Sequence, residues 1–442
     1  MYILGISVGE TCTAAIMKGG QVIAACIEER FKKVKNHSGF PGQSVEYCLS
    51  VAGISPGELD LVAVSDVAQG ALEYSYTYVQ RRSSFSVGDY IKEAHEYWYP
   101  KLYLGKEVDY LRIFKDKIRL DTFPDEFNEY FFREYESIKT ASLDELQSIR
   151  KRLIRIYLPE VKEEKIKFYP HHEIHAFYGY FASKFAQTEE SAMIITADSW
   201  GDFENAMISK IDGGDFKILD VIDNQNLGRL YRNITLYLGM KPYEHEYKVM
   251  GLAPYAPEYL AEAAYNVFAQ TMDVDGLKFF YKETPKDNYF WFKERLEGIR
   301  FDGVAAGLQN YFEDRMQRWI SNALIKYKAK KITFSGGLAM NIKLNMKLAQ
   351  MKGLDDFFVS ASPDDNTNCI GACFLAFYRY MKLQDKGLAK VIKPLENMYL
   401  GPDIKDEEID AAIIKNNLME SCSVVDKASP DFIAEKLSRG II

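Results

Sequence analysis

The chain has 442 residues, 47% hydrophobic and 27% charged, with a net charge of -8. That is the composition of a soluble protein of two or three domains. It excludes a basic nonspecific nucleic-acid binder and, having no unbroken apolar run of roughly twenty residues, a membrane-spanning helix.

The first elements read as a three-strand meander. Tyr2 to Ser7 is apolar and β-prone rather than a signal peptide. Thr13 to Met17 follows a polar turn, and Lys18-Gly19-Gly20 is a hairpin signal before a third strand, Gln21 to Ile27. A helix from Ser44 to Ala52 stops at Gly53, and Leu59 to Val64 reads as a buried strand. The same plan returns at Ala192 to Ala197, which ends at Asp198, then Glu204 to Lys210 and, after Asp212-Gly213-Gly214, Phe216 to Ile222. Two such meanders predict an internal duplication. Later segments alternate: a helix from Gly303 to Tyr327, a strand Lys331 to Ser335, a helix Leu338 to Lys352, a strand Asp356 to Ser360 and a helix Thr367 to Leu383. Strands alternating with helices predict parallel sheet covered by helices.

Between the halves lies an insertion, about residues 69–159, dense in Tyr, Phe, Arg and Glu. Stretches such as Tyr74 to Tyr78 and Tyr97-Trp98-Tyr99 read either as an aromatic wall for an acceptor or as the small core of a helical lid. Gln384 to Pro394 reads as a linker, and Tyr399 to Ile442 as the start of a further α/β domain. Six scattered cysteines in apolar segments predict reduced thiols in a cytoplasmic protein; Cys369 and Cys373 lack a second pair to complete a zinc site.

Three of the six histidines fall within five positions, His171, His172 and His175, just after Pro170, which suits a helix start. His171 and His175 would share one helical face, spaced to bind one Fe(II), Zn(II) or Mn(II) ion. Asp198, at a strand end, and Asp365, between a strand and a helix, are the completing ligands. Asp364 suits a helix cap better. Ser335-Gly336-Gly337-Leu338-Ala339-Met340-Asn341 is a strand–glycine turn–helix whose Gly336, Gly337 and Asn341 are candidates for nucleotide binding. Lys248, in an apolar loop closed by Gly251 and Pro254, either neutralises phosphate or makes a surface ion pair.

Together Leu4-Gly5-Ile6, Ile27 to Phe31, Phe40-Pro41, His171 to Ala176, Tyr247 to Tyr255, Ser335 to Asn341 and the Asp365 loop resemble the carbamoyltransferase family that includes NodU, CmcH and TobZ. The resemblance spans about residues 1 to 385. It implies an α/β fold with a duplicated actin-like (sugar-kinase-like) core. It implies Fe(II) or another divalent transition metal on His171, His175, Asp365 and Asp198. It also implies ATP, accompanied by Mg(II), and carbamoyl phosphate, joined as carbamoyl adenylate before the carbamoyl group passes to a small-molecule hydroxyl, such as that of a sugar or antibiotic precursor. No nucleic acid or membrane is expected as a partner; a homodimer is allowed. The family's first-turn histidine is replaced here by Glu10-Thr11-Cys12, which leaves Glu10 and Thr11, with Lys248, as catalytic candidates. The glycine usual after the loop aspartate is Asn366 here. The resemblance places the actin-like domain at 1–385 and the beginning of a carbamoyl-phosphate-activating domain, apparently incomplete, at 386–442. A sugar-kinase-like phosphotransferase and an inactive nucleotide-binding regulator are the alternatives, the first disfavoured by the histidine triplet.

Overall fold

The computed structural model describes residues 1–9, 11–68, 80, 85–117, 133–134, 137, 141–384, 392–425 and 427–441. The first sheet has β1 (Tyr2–Ser7), β2 (Thr13–Lys18), β3 (Gln21–Ile27), β4 (Leu61–Ser65) and β5 (Ile166–Tyr169), in the order β3-β2-β1-β4-β5. The meander is antiparallel, while β4 runs parallel to β1 and β5 parallel to β4. The second sheet has β6 (Ala192–Gly201), β7 (Glu204–Asp212) and β8 (Asp215–Ile222). After a hairpin of β9 (Met272–Asp275) and β10 (Lys278–Tyr281), that sheet is completed by β11 (Lys331–Ser335) and β12 (Asp356–Val359). Its order, β12-β11-β6-β7-β8, and its strand directions repeat the first sheet. The expected duplication is therefore present: the core is an α/β fold of duplicated actin-like type.

The helices that matter here are α1 (Gly42–Ala52), α2 (Val87–Glu93), α3 (Leu143–Tyr157), α4 (His171–Phe181), α5 (Leu227–Tyr237), α6 (Glu246–Leu252), α7 (Phe301–Tyr327), α8 (Ile342–Ala349) and α9 (Asn368–Leu383). Helix α4 follows β5 of the first sheet, yet it packs on β6 and β11 of the second. Helix α9 follows β12 of the second sheet and packs on β1, β2 and β4 of the first. The two exchanged helices also pack on each other, giving the layers sheet, α9, α4, sheet. Nearly every residue of α4 is buried, which explains why its sequence shows no clean polar face.

Close approach in this central layer depends on missing side chains. A Cβ on Gly371 of α9 would lie 2.3 Å from the carbonyl oxygen of Ile174 in α4. One on Gly5 of β1 would lie 2.0 Å from the carbonyl oxygen of Cys369. The buried Glu28 carboxylate fixes the entry to α1 by accepting the Gln43 and Ser44 amides and the Ser44 hydroxyl.

Several expected boundaries move. The stretch expected as a loop around Lys248 is the helix α6, and the expected helix from Leu338 to Lys352 is a 3-10 turn (Gly337–Met340) followed by the shorter α8. Compact packing divides the chain into Met1–Leu400 and Gly401–Ile442. Buried Ile392 and Leu395 hold the end of the first unit, where Lys393 and Leu395 donate backbone bonds to Gly20 and Phe181. The second unit contains helices Asp406–Lys415, Leu418–Ser421 and Pro430–Ser438, with no strand among its described residues.

Of the insertion's aromatics, Tyr74 to Tyr78 lie outside the described residues, as does the linker stretch 385–391. Phe85, Tyr90, Tyr97, Tyr110 and Phe114 bury one another and reach Leu236 and Tyr289. Within that cluster Glu93 accepts from Trp98 Nε1 and Gln80 Nε2, and burial pushes its carboxyl up to about 7. All six cysteines are free thiols. No described helix is long and apolar enough to cross a membrane.

The central layer yields a stability prediction. Gly371→Ala should destabilise the fold by about 1–3 kcal/mol through overpacking, read as a lower midpoint of thermal unfolding. An unchanged midpoint would show that α4 and α9 can separate at little cost.

Candidate metal centre and adjoining cavity

Pro170 ends β5 in extended backbone and α4 begins at His171, so His171 and His175 face the same way one turn apart. Their Nε2 atoms are 3.1 Å apart. Asp198 Oδ2 lies 3.8 Å from His171 Nε2 and 3.6 Å from His175 Nε2. Asp365 Oδ1 lies 3.6 Å and 3.0 Å from the same two nitrogens. All four ligand atoms fall within 4.8 Å of one another. Metal–ligand bonds of about 2.0–2.2 Å set neighbouring ligand atoms about 3.0–3.6 Å apart. Four of the five separations given lie in that range and the His171–Asp198 distance just above it, and the two-imidazole, two-carboxylate donor set suits a divalent transition ion.

The halves of the fold contribute separately. Asp198 sits in an interruption of the β6–β7 pairing between Ala197 and Gly201, which frees its backbone from the ladder. Its carboxylate accepts the Ser199 and Gly337 amides, at 2.7 and 2.8 Å. Asp365 opens the short turn before α9, where Asn368 Nδ2 donates to it. Asp364 turns away to accept from Ser362 and Asn366, the local role expected of it. Gly201 is required because a Cβ there would fall 2.1 Å from His171 Cδ2.

Two partners of His171, and an arginine that holds one of them, were not visible in the sequence. Asp66 Oδ1 accepts from His171 Nδ1 at 2.6 Å, and Asp202 Oδ2 accepts the His171 amide at 2.9 Å. Arg150 Nη1 and Nη2 donate to the carbonyls of Asp66 and Ser65. The only sequence signal for Asp66 was its place just past a buried strand, the same signal that singled out Asp198. His175 Nδ1 is buried and has no hydrogen-bond partner.

Electrostatics follow this geometry. Burial disfavours the His171 imidazolium, but the charges of Asp66 and Asp365 outweigh it and hold the ring well above the ordinary histidine range. Burial and the neighbouring His171 oppose charge on His175, yet its hydrogen bonds to the accepting carboxylates of Asp198 and Asp365 raise it too. Asp198 is lowered despite burial, by hydrogen bonds from both rings. His172 faces elsewhere: Nε2 donates to the Glu204 carbonyl and Nδ1 accepts from Thr196 Oγ1. Burial and the two neighbouring rings push it well below its ordinary value, so it is a neutral structural histidine.

A cavity of about 310 Å³ adjoins the cluster, with Asp198 and Gly337 in its wall. Tyr231, Arg232, Tyr243, Glu246, Met250 and Asn341 are among its other lining residues. The predicted nucleotide residues divide here. Gly337 and Asn341 line the cavity, but both glycine amides serve the protein: Gly336 donates to the Pro363 carbonyl and Gly337 to Asp198. Gly336 itself (φ +91°) is needed for close packing, since a Cβ would lie 2.4 Å from the Ala197 carbonyl oxygen. The Asn341 amide is tied to Gln309 and caps α8 at the Leu344 amide. Lys248 is exposed on α6 beside the Tyr247 ring and does not line the cavity. Arg232, stacked on the Tyr243 ring and bonded to its hydroxyl, is the cation that does. In the first turn, Thr11 shares a 2.7 Å hydrogen bond with Ser7, and Glu10 lies outside the described residues.

Residues 2–374 match the family model described as "Carbamoyltransferase N-terminus". The nodulation protein NolNO of Sinorhizobium fredii is 24% identical over 96% of this chain and 54% of its own length. An uncharacterized protein of Methanocaldococcus jannaschii is 26% identical over 94% of this chain and 63% of its own. The chain thus spans between half and two thirds of the length of these relatives. A solved structure, the activator of the 2-hydroxyisocaproyl-CoA dehydratase from Clostridium difficile, covers 90% of this chain and 99% of its own at 12% identity and a TM-score of 0.39.

Metal analysis tests the cluster. The purified chain should hold about one transition-metal ion, as the single four-ligand set allows. His171→Ala combined with His175→Ala should reduce that to background, while His172→Gln should retain it. Parent-level occupancy in the folded double variant would put the ion elsewhere.

Proposed function

This chain belongs to the carbamoyltransferase N-terminal family, and we propose that it carries the transfer half of an ATP-dependent O-carbamoyltransferase. Carbamoyl phosphate, losing its phosphate, and ATP, losing pyrophosphate, would give carbamoyl adenylate; a hydroxyl of a small-molecule acceptor, a sugar or secondary metabolite, would then attack its carbonyl, forming the O-carbamoyl bond and releasing AMP. The observation that carries this reading is the juxtaposition of the four-ligand cluster with the cavity, Asp198 belonging to both.

His171, His175, Asp198 and Asp365 would hold the ion, Fe(II) or another divalent transition metal. When bound, such an ion supplies Lewis-acid polarisation of a phosphate or carbonyl oxygen. The chain's own groups do the rest. The Gly337 and Ser199 amides orient the Asp198 carboxylate. Tyr231, Tyr243, Met250 and Phe312 offer packing surface to an adenine nucleotide and exclude water, and Arg232 faces its phosphates, accompanied by Mg(II) for ATP itself. Arg232 thereby takes the part expected of Lys248. Glu10 takes the acceptor's proton in this scheme, and Thr11, already bonded to Ser7, positions the hydroxyl.

The test supplies carbamoyl adenylate, generated by a separate activating enzyme, to the metal-loaded chain with a panel of sugar and polyol acceptors. Mass spectrometry should detect carbamoylated acceptor with the parent. Met250→Trp, which fills the cavity, should reduce transfer and ATP affinity at least tenfold, about 1.4 kcal/mol, without changing metal content. Unchanged transfer and affinity in the folded variant would move the nucleotide out of this cavity. Hydrolysis without transfer to any acceptor would count against the reaction.

A further inference from the structure

We propose that Asp66 is a positioning residue for the metal centre, and that Arg150 of α3 sets its position. The inference rests on the metal reading above and adds to it a link from the insertion to the site.

A histidine ligand presents one ring nitrogen to the ion, and the hydrogen bond at the other nitrogen decides which one. Asp66 Oδ1 lies 2.6 Å from His171 Nδ1, and both side chains are 3% exposed. A carboxylate accepts, so Nδ1 carries the proton and the Nε2 lone pair points at His175, Asp198 and Asp365. His175 has no such partner: its Nδ1 is buried and unbonded. Asp66 therefore fixes the ring of His171, helped by Asp202 on its amide, whereas His175 is bonded at Nε2 to His171 and Asp365.

Asp66 reaches this place by an uncommon backbone. Its φ is +66°, a left-handed conformation that costs a non-glycine residue energy and persists only when its surroundings hold it. The Arg150 guanidinium supplies that hold. It donates to the Asp66 carbonyl at 2.6 Å and the Ser65 carbonyl at 2.9 Å, while lying 4.5 Å from the centre of the Phe168 ring. Arg150 lies on α3, the last helix of the insertion. The insertion is thus linked to the metal centre through Arg150, the carbonyls of Ser65 and Asp66, and the Asp66 carboxylate, and its described residues contribute no ligand.

Cobalt(II) titration of the metal-free full chain tests this, because the ion's visible spectrum reports its coordination independently of catalysis. Asp66→Ala should weaken cobalt affinity about 10–100-fold and alter the spectrum. Asp66→Asn, which keeps an acceptor oxygen without the charge, should fall between Asp66→Ala and the parent. Arg150→Met should weaken affinity in the same direction, and Arg150→Lys less. Parent-like affinity and spectrum in folded Asp66→Ala would overturn the role of Asp66. If that variant does not fold, Arg150→Met decides: parent-like cobalt binding overturns the proposal, weakened binding supports it. A parent that binds no cobalt, or whose binding survives His175→Ala, overturns the metal reading itself, which separates that failure from the failure of Asp66.

Discussion

Two imidazole nitrogens 3.1 Å apart, faced by two carboxylate oxygens, form the arrangement on which the rest of this structure depends. Lone pairs so placed repel unless a proton or a cation lies among them. Taking charged groups out of water costs several kcal/mol each unless they are paired. The fold answers with hydrogen bonds around the cluster: Gly337 and Ser199 on Asp198, Asn368 on Asp365, Asp66 and Asp202 on His171. This is the build of a site organised before its ligand arrives, in which binding orders little that is not already ordered.

The duplication explains how the groups meet. Strands β4 and β11 hold the same place in their sheets, and each ends in a serine followed by a residue of positive φ. After Ser65 comes Asp66, whose carboxylate holds His171; after Ser335 comes Gly336, whose missing side chain lets β6 approach. One ancestral corner has become a hydrogen-bond acceptor in one half and a close-packing point in the other. The exchange of α4 and α9 between the sheets completes the design. It sets the start of α4, carrying His171 and, one turn on, His175, beside Asp365 before α9 and Asp198 of the second sheet.

What the sequence revealed and concealed follows from the range of each interaction. The meanders were legible because alternation and hairpin glycines are local. That His171 and His175 come together was legible because a pair four residues apart on a helix is a local pattern; Asp198 and Asp365 stood out because they lie at strand ends, which in α/β sheets face ligand sites. Asp66 is 105 residues from His171 and Arg150 is 84 from Asp66, so no local pattern could pair them. Lys248 misled for a helical reason. Glu246, Tyr247 and Met250 share one face of α6 and line the cavity, joined by Tyr243 from the turn before the helix. Lys248 falls off that face, next to buried Val249. In the Gly-Gly turn, paired glycines signal close backbone approach without saying to what; here Gly336 packs on Ala197, while Gly337 bonds Asp198 and lines the cavity.

The turn that opens each meander shows the asymmetry with most consequence for chemistry. In the second half, Asp198 to Asp202 supply a ligand, a glycine under His171 and a carboxylate on the His171 amide. In the matching turn of the first half, the described residues around Thr11 supply none of these groups. Duplication followed by divergence thus committed one turn to holding charge and released the other for a different task. A histidine in the free turn could titrate near neutrality by itself, whereas a carboxylate needs burial to raise its pKa before it takes up a proton there. The Glu10-Thr11-Cys12 sequence therefore ties any proton transfer at this turn to how well a bound acceptor shields it from water.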